Sequence, residues 1–127
     1  MARSEFLLTL DRHFLDFQDV ALRVHDPDWQ PSDDHEGFTL ARYMGFVERI
    51  GLLVRDEILD LPTVDTAYGW RIQWLVENHA ARKRLMTKPA AWQEFNSLWR
   101  ELDAARESTG LAPICPGCAP PPSPLCK

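Results

Sequence analysis

Apolar side chains recur every three or four residues through most of this chain, and a core fed by that period has to be built from helices. Phe6, Leu10, Phe14, Phe17, Ala21 and Val24 trace one greasy stripe and predict a first helix ending near His25. The stretch from Asp26 to His35 carries Pro27 and Pro31 and suits an exposed connection, with Trp29 folding back onto the core. A second helix is expected over about Glu36 to Glu57, with Leu40, Met44, Val47, Ile50 or Gly51, and Val54 inward. Gly45 and Gly51 weaken that helix intrinsically, so close helix contact is the reason to expect them there. Asp60, followed by Leu61 and Pro62, reads as the N-cap of a third helix that runs to just before Pro89. It carries Val64, Tyr68, Ile72, Leu75 and Val76 on one face, with Trp70 and Trp74 on a neighbouring one. A fourth helix starts near Pro89 and presents Trp92, Phe95, Leu98 or Trp99, Leu102 and Ala105. Strand-period segments, Asn-Gly and Asp-Gly hairpin signals and internal repeats are absent from the sequence.

The expectation is therefore all-α: a small bundle of about four helices over residues 1–107, then a Pro/Cys-rich disordered tail over 108–127. That tail holds six of the ten prolines and one charged side chain. With 127 residues, 45% of them apolar, a single domain can bury a real core. The net charge of −5 argues against a protein that coats nucleic acid and against a polybasic membrane anchor. Residues 1–36 hold nine acids against three bases, whereas residues 37–107 hold ten of each, so the acidity is a property of the first third. The longest apolar run near the middle, Ile50 to Val54, is far too short to span a bilayer, and the first residues lack a signal-peptide core. A cytoplasmic location is expected. Cys115, Cys118 and Cys126 all fall in the tail, which fits a fold independent of disulfides in a reducing compartment.

Three segments resemble a known family. FVERIGLLVRDEILD (Phe46 to Asp60), GWRIQWLVE (Gly69 to Glu77) and WQEFNSLWREL (Trp92 to Leu102) are similar to the bacterial family catalogued as domain of unknown function 4760, over roughly residues 38–105. The chain departs from the family pattern at Asp56 and Glu57, where members often have a basic residue and glycine. The resemblance implies a helical domain and assigns no activity, cofactor or functional residue.

Four constellations carry possible chemistry. Cys115-Pro-Gly-Cys118 has the spacing of half a zinc knuckle, but only Cys126 remains to complete it, and the redox reading of Cys-x-x-Cys lacks a βαβ setting. Incidental thiols are the preferred reading. Asp33, Asp34, His35 and Glu36 offer a general base or metal ligands, yet acids at the start of a helix complement its dipole and cap its amides, which explains the run without chemistry. Arg82, Lys83 and Arg84, with His79 and Lys88, form the one basic concentration; phosphate contact is conceivable, but cations in the last turns of the third helix stabilise it. His13, His25 and His79 are scattered. Nucleophile elbows, phosphate loops and dinucleotide fingerprints are absent, and no catalytic, cofactor-binding or metal residue is assigned. Trp70, Trp74, Trp92 and Trp99 crowd the third and fourth helices: core first, but also the best candidates for an apolar docking face. The functional expectation is an interaction or regulatory module, without evident catalysis, that self-associates through its aromatic helices or binds a protein partner. The alternatives are a metal-binding or enzymatic protein using residues 33–36 or the tail thiols, and nucleic-acid binding through residues 79–88.

Overall fold

The computed structural model describes residues 3–121, with side chains from residue 7 onward; the side chain of Phe6 and the whole of Cys126 lie outside the described residues. The fold is all-helical, with no strand among the described residues. Among the described residues six α-helices follow in order: α1 (Arg3–Leu15), α2 (Gln18–Val24), α3 (Asp34–Arg55), α4 (Leu61–Glu77), α5 (His79–Thr87) and α6 (Gln93–Ser108), with a 3-10 turn at Pro89–Trp92 leading into α6. The expected count of about four is corrected at two breaks, one inside the first expected helix and one inside the third.

The first break comes at Asp16 and Phe17. Their amides bond three residues back, to His13 and Phe14, so the last turn tightens before Phe17 O accepts from Ala21 and starts α2. The tightened turn sends Phe14 and Phe17 into the same aromatic cluster. Phe14 meets Phe46 edge-on at 4.7 Å and Tyr68 at 4.7 Å, while Phe17 lies 5.5 Å from Tyr43 and 5.9 Å from Phe46.

The second break is at Asn78, which is fully buried and extended (ψ 127°). Its Oδ1 accepts from the Ala81 amide at 2.9 Å and caps α5. Its Nδ2 donates to the carbonyls of Asp26 and Trp29 at 3.0 and 2.9 Å. The His79 amide donates to Pro27 O, so three hydrogen bonds at one corner, two from Asn78 Nδ2 and one from the His79 amide, hold the 26–29 connection against the interrupted helix. Trp29 packs against the core there, as expected from the sequence.

The seam between α3 and α6 is the most extensive helix contact among the described residues. Gly51 faces the Glu94 backbone so tightly that a Cβ there would overlap the Glu94 carbonyl. One turn earlier on α3, Glu48 accepts from the amides of Glu94 and Phe95 at 3.0 and 2.7 Å. It thereby supplies the cap that α6, whose N-cap residue Trp92 makes no side-chain capping bond, lacks. Arg55 closes the seam with an ion pair to Glu94. On the other side, Asp65 of α4 and Arg106 of α6 form a forked pair at 2.6 and 3.3 Å. Trp99 sits fully buried in the core.

Helix α3 ends in a Schellman turn: Ile58 N–H reaches Leu53 O at 2.9 Å and Glu57 N–H reaches Val54 O at 3.0 Å, with Glu57 itself at φ 62°. That left-handed position favours glycine, and a glutamate there is strained. After α6, residues 111–121 contain no helix, yet Ile114 and Cys115 join the core and Pro121 is buried. Asp103 accepts the Ile114 amide at 2.8 Å, and Arg100 donates to Pro121 O at 2.6 Å. Cys115 and Cys118, expected as incidental thiols, form a disulfide in the segment after α6.

Two substitutions on α3 separate contact from propensity. Gly51→Ala must displace the Glu94 backbone and is expected to lower stability by about 1–3 kcal/mol. Gly45→Ala, where a Cβ meets nothing within 4 Å, is expected to raise stability by about 0.5–1 kcal/mol. Urea denaturation midpoints of the two variants check this, and a common sign would refute it. By the same assay Glu57→Gly relieves the left-handed strain and adds about 1 kcal/mol.

Candidate functional site

The acidic cluster at the start of α3 is engaged in holding the helix. Asp33 is the N-cap, its Oδ1 accepting from the Glu36 amide at 2.8 Å. Glu36 accepts from the Ser32 amide at 2.8 Å and from the Ser32 hydroxyl, and pairs with Arg23 of α2 at 2.9 Å. The Ser32 hydroxyl and amide, with Arg23 and His35 adding to them, hold the Glu36 carboxyl below the ordinary carboxylate range. A carboxylate so stabilised is a poor general base. Among the described residues, no group of three or more His, Cys, Asp and Glu is arranged to hold a metal ion. Capping accounts for this run.

The basic cluster is placed differently from the sequence expectation. It lies not in the last turns of a long third helix but on α5, which Asn78 separates from α4. Its members then part company. His79 Nδ1 stands 3.2 Å from Asp28 on the surface. Arg82 donates to Val76 O at 2.9 Å, satisfying a carbonyl at the end of α4. Arg84 reaches across to Gly37 O at 3.4 Å, a long contact that leaves most of its guanidinium available.

Lys83, Arg84 and Lys88 share one open groove of about 600 Å³, walled by Pro31, Ala80 and Ala91 with half-buried Trp92 at its side. None of the three cations has a carboxylate partner among the described residues. Arg84 also borders a second cleft of about 590 Å³ that holds Phe38, 64% exposed. The result is three cations without an ion pair among the described residues, beside Pro31, Ala80, Ala91 and Trp92 and the polar Gln30 and Thr87, with Asp33 and Asp34 lining the neighbouring cleft; the groove is suited to an anionic group carried on an apolar body.

The tryptophans do not form one exposed face. Trp99 belongs to the core, its Nε1 without a hydrogen-bond partner. Trp74 stacks on His25 with centroids 3.9 Å apart. Trp70 lies edge-on to Trp74 and, at 41%, is the exposed member of the four. Arg71 is wedged between the Trp70 and Phe14 rings, 4.4 and 4.3 Å from their centroids, and donates to the Tyr43 hydroxyl at 3.2 Å. Tyr68 donates to Asp11 at 2.9 Å and ties α1 to α4. Neither Arg71 nor Asn78 stood out in the sequence, because an isolated Arg or Asn on a helix carries no periodic signal.

The Cys115 and Cys118 sulfurs are bonded to each other, and the third tail thiol, Cys126, lies outside the described residues. Comparison with protein-family models, with curated proteins and with solved structures finds no match.

Burial raises the pKa of both Tyr43 and Tyr68; the Asp11 carboxylate pushes Tyr68 further, whereas Arg71 opposes the shift at Tyr43. Folded values above the unfolded one mean that the contribution is complete below about pH 10 and is lost as the pH climbs through the folded values. Tyr68→Phe is expected to lose about 1 kcal/mol at neutral pH and to decline less steeply in alkali. Urea midpoints at pH 8 and above pH 10 measure both, and a decline as steep as the parent's would contradict it.

Proposed function

We propose that this chain is a helical interaction module that self-associates, with the cationic groove of α5 as its contact surface. The observation that carries the reading is the set of unpaired cations, Lys83, Arg84 and Lys88, on apolar walls beside Trp92. The occupant argued from charge is the acidic first third of a second copy. Its helices carry Leu8, Leu15 and Leu22, each about three-fifths exposed, with Leu8 and Leu15 on the face of α1 opposite Leu10 and Phe14. Asp16 and Asp19 are exposed close by. A two-fold pair in which each copy's acidic helices lie in the other's groove would use both surfaces twice. Nucleic acid fits this surface less well, because the acidic first third would repel it.

The test is native mass spectrometry and sedimentation across a salt series. A dimer at low salt that weakens as salt rises is expected, with Lys83→Glu/Lys88→Glu raising its dissociation constant by about ten- to a hundredfold. A monomer at every protein concentration would overturn self-association. A dimer strengthened by salt and broken by Trp70→Ala would move the contact to α4 and overturn the charge argument.

A further inference from the structure

We propose that Cys115-Pro116-Gly117-Cys118 is a thiol–disulfide exchange site, a reversible dithiol/disulfide couple that reacts with external thiols through Cys118. The backbone brings the sulfurs together independently of the bond between them. Cys115 O accepts the Cys118 amide at 3.1 Å, Pro116 supplies the fixed φ of the first corner, and Gly117 at φ 89° takes the left-handed second corner. This is a type II turn, and it sets the two Cα atoms 5.6 Å apart, inside the range a disulfide spans. Reduction leaves the turn's own hydrogen bond in place, so the thiols stay neighbours and can pair again.

The pair suits exchange better than stapling. Two residues separate the cysteines, and closing so short a loop constrains the unfolded chain far less than closing a long one. The segment is fastened by other means: buried Ile114, the Asp103 bond to its amide, and Arg100 on Pro121 O. The platform therefore has reason to survive reduction. The two sulfurs also differ, since Cys115 is 7% exposed within the core whereas Cys118 is half-buried at its margin. Access decides which one is attacked.

The chemistry balances with an external thiol as reductant. Its thiolate attacks Cys118 Sγ, the Cys115–Cys118 bond breaks, and the Cys115 thiolate leaves and takes a proton. A second external thiolate attacks the external sulfur of the mixed disulfide, releasing Cys118 and forming the external disulfide. The sum is two thiols oxidised and one protein disulfide reduced. In the reverse direction Cys118 takes up the mixed disulfide and Cys115 resolves it. Neither step requires the βαβ setting that the spacing alone suggested, because the turn does the positioning.

The test uses the full chain carrying Cys126→Ser, so that a third thiol cannot join. The protein is equilibrated in glutathione buffers of graded reduced-to-oxidised ratio, quenched in acid, alkylated with a maleimide and weighed intact. The expected result is one transition in which both cysteines become alkylatable together, with the helical circular dichroism unchanged. Single-cysteine variants are then exposed to oxidised glutathione. Cys115→Ser, which keeps Cys118, is expected to form the mixed disulfide about tenfold faster than Cys118→Ser. A pair that stays oxidised at every ratio and unfolds when forcibly reduced would be a staple, and a pair that stays reduced in oxidised glutathione would be incidental. Either outcome overturns the proposal, as would equal rates in the two variants.

Discussion

The contact between Gly51 and the Glu94 backbone organises the rest of the molecule. Because no Cβ intervenes, α3 and α6 approach closely enough for Glu48 to reach the Glu94 and Phe95 amides. Those amides head a helix that has no side-chain cap of its own. Helix α6 is thus started by a side chain 46 residues away, and its stability is inseparable from its packing. From that seam α6 places Trp99 in the centre of the core and holds Asp65 through Arg106. It also presents Asp103 and Arg100 to the segment that carries the disulfide.

The molecule's other corner is ordered by Asn78. A single buried amide group caps α5 and binds two carbonyls of the 26–29 connection, so the break between α4 and α5 and the course of that connection have one cause. The break has a consequence for the surface. Had α4 continued, its last-turn cations would have served the helix end. Separated from it, α5 turns Lys83, Arg84 and Lys88 onto an open groove beside Pro31 and Trp92. Arg82, one position earlier, is the one that serves the carbonyl at the end of α4.

How much was legible in the sequence depends on the range of the signal. The stripes through Leu40, Met44, Val47 and Ile50, and through Val64, Tyr68, Ile72 and Leu75, are buried as their spacing implies. The Asp60 cap is where the Asp-Leu-Pro order puts it. Ala105, at the end of the last stripe, is exposed, because α6 runs past the edge of the core there. The two glycines of α3, alike in sequence, differ in the fold: Gly51 sits in the seam and Gly45 meets nothing. For the candidate sites the yield was smaller. Clusters of like residues were visible, but whether each was engaged depended on neighbours dozens of positions away.

The sequence by itself determined the helical class, the inward faces and the caps at Asp33 and Asp60, since each follows from interactions within one or two turns. The tertiary structure decided the breaks at Asp16 and Asn78, the separation of Trp99 from exposed Trp70, the docking of Ile114, and which cations remain unpaired. These depend on which groups become neighbours when helices pack, and a buried carbonyl or ring must find its partner wherever the fold supplies one.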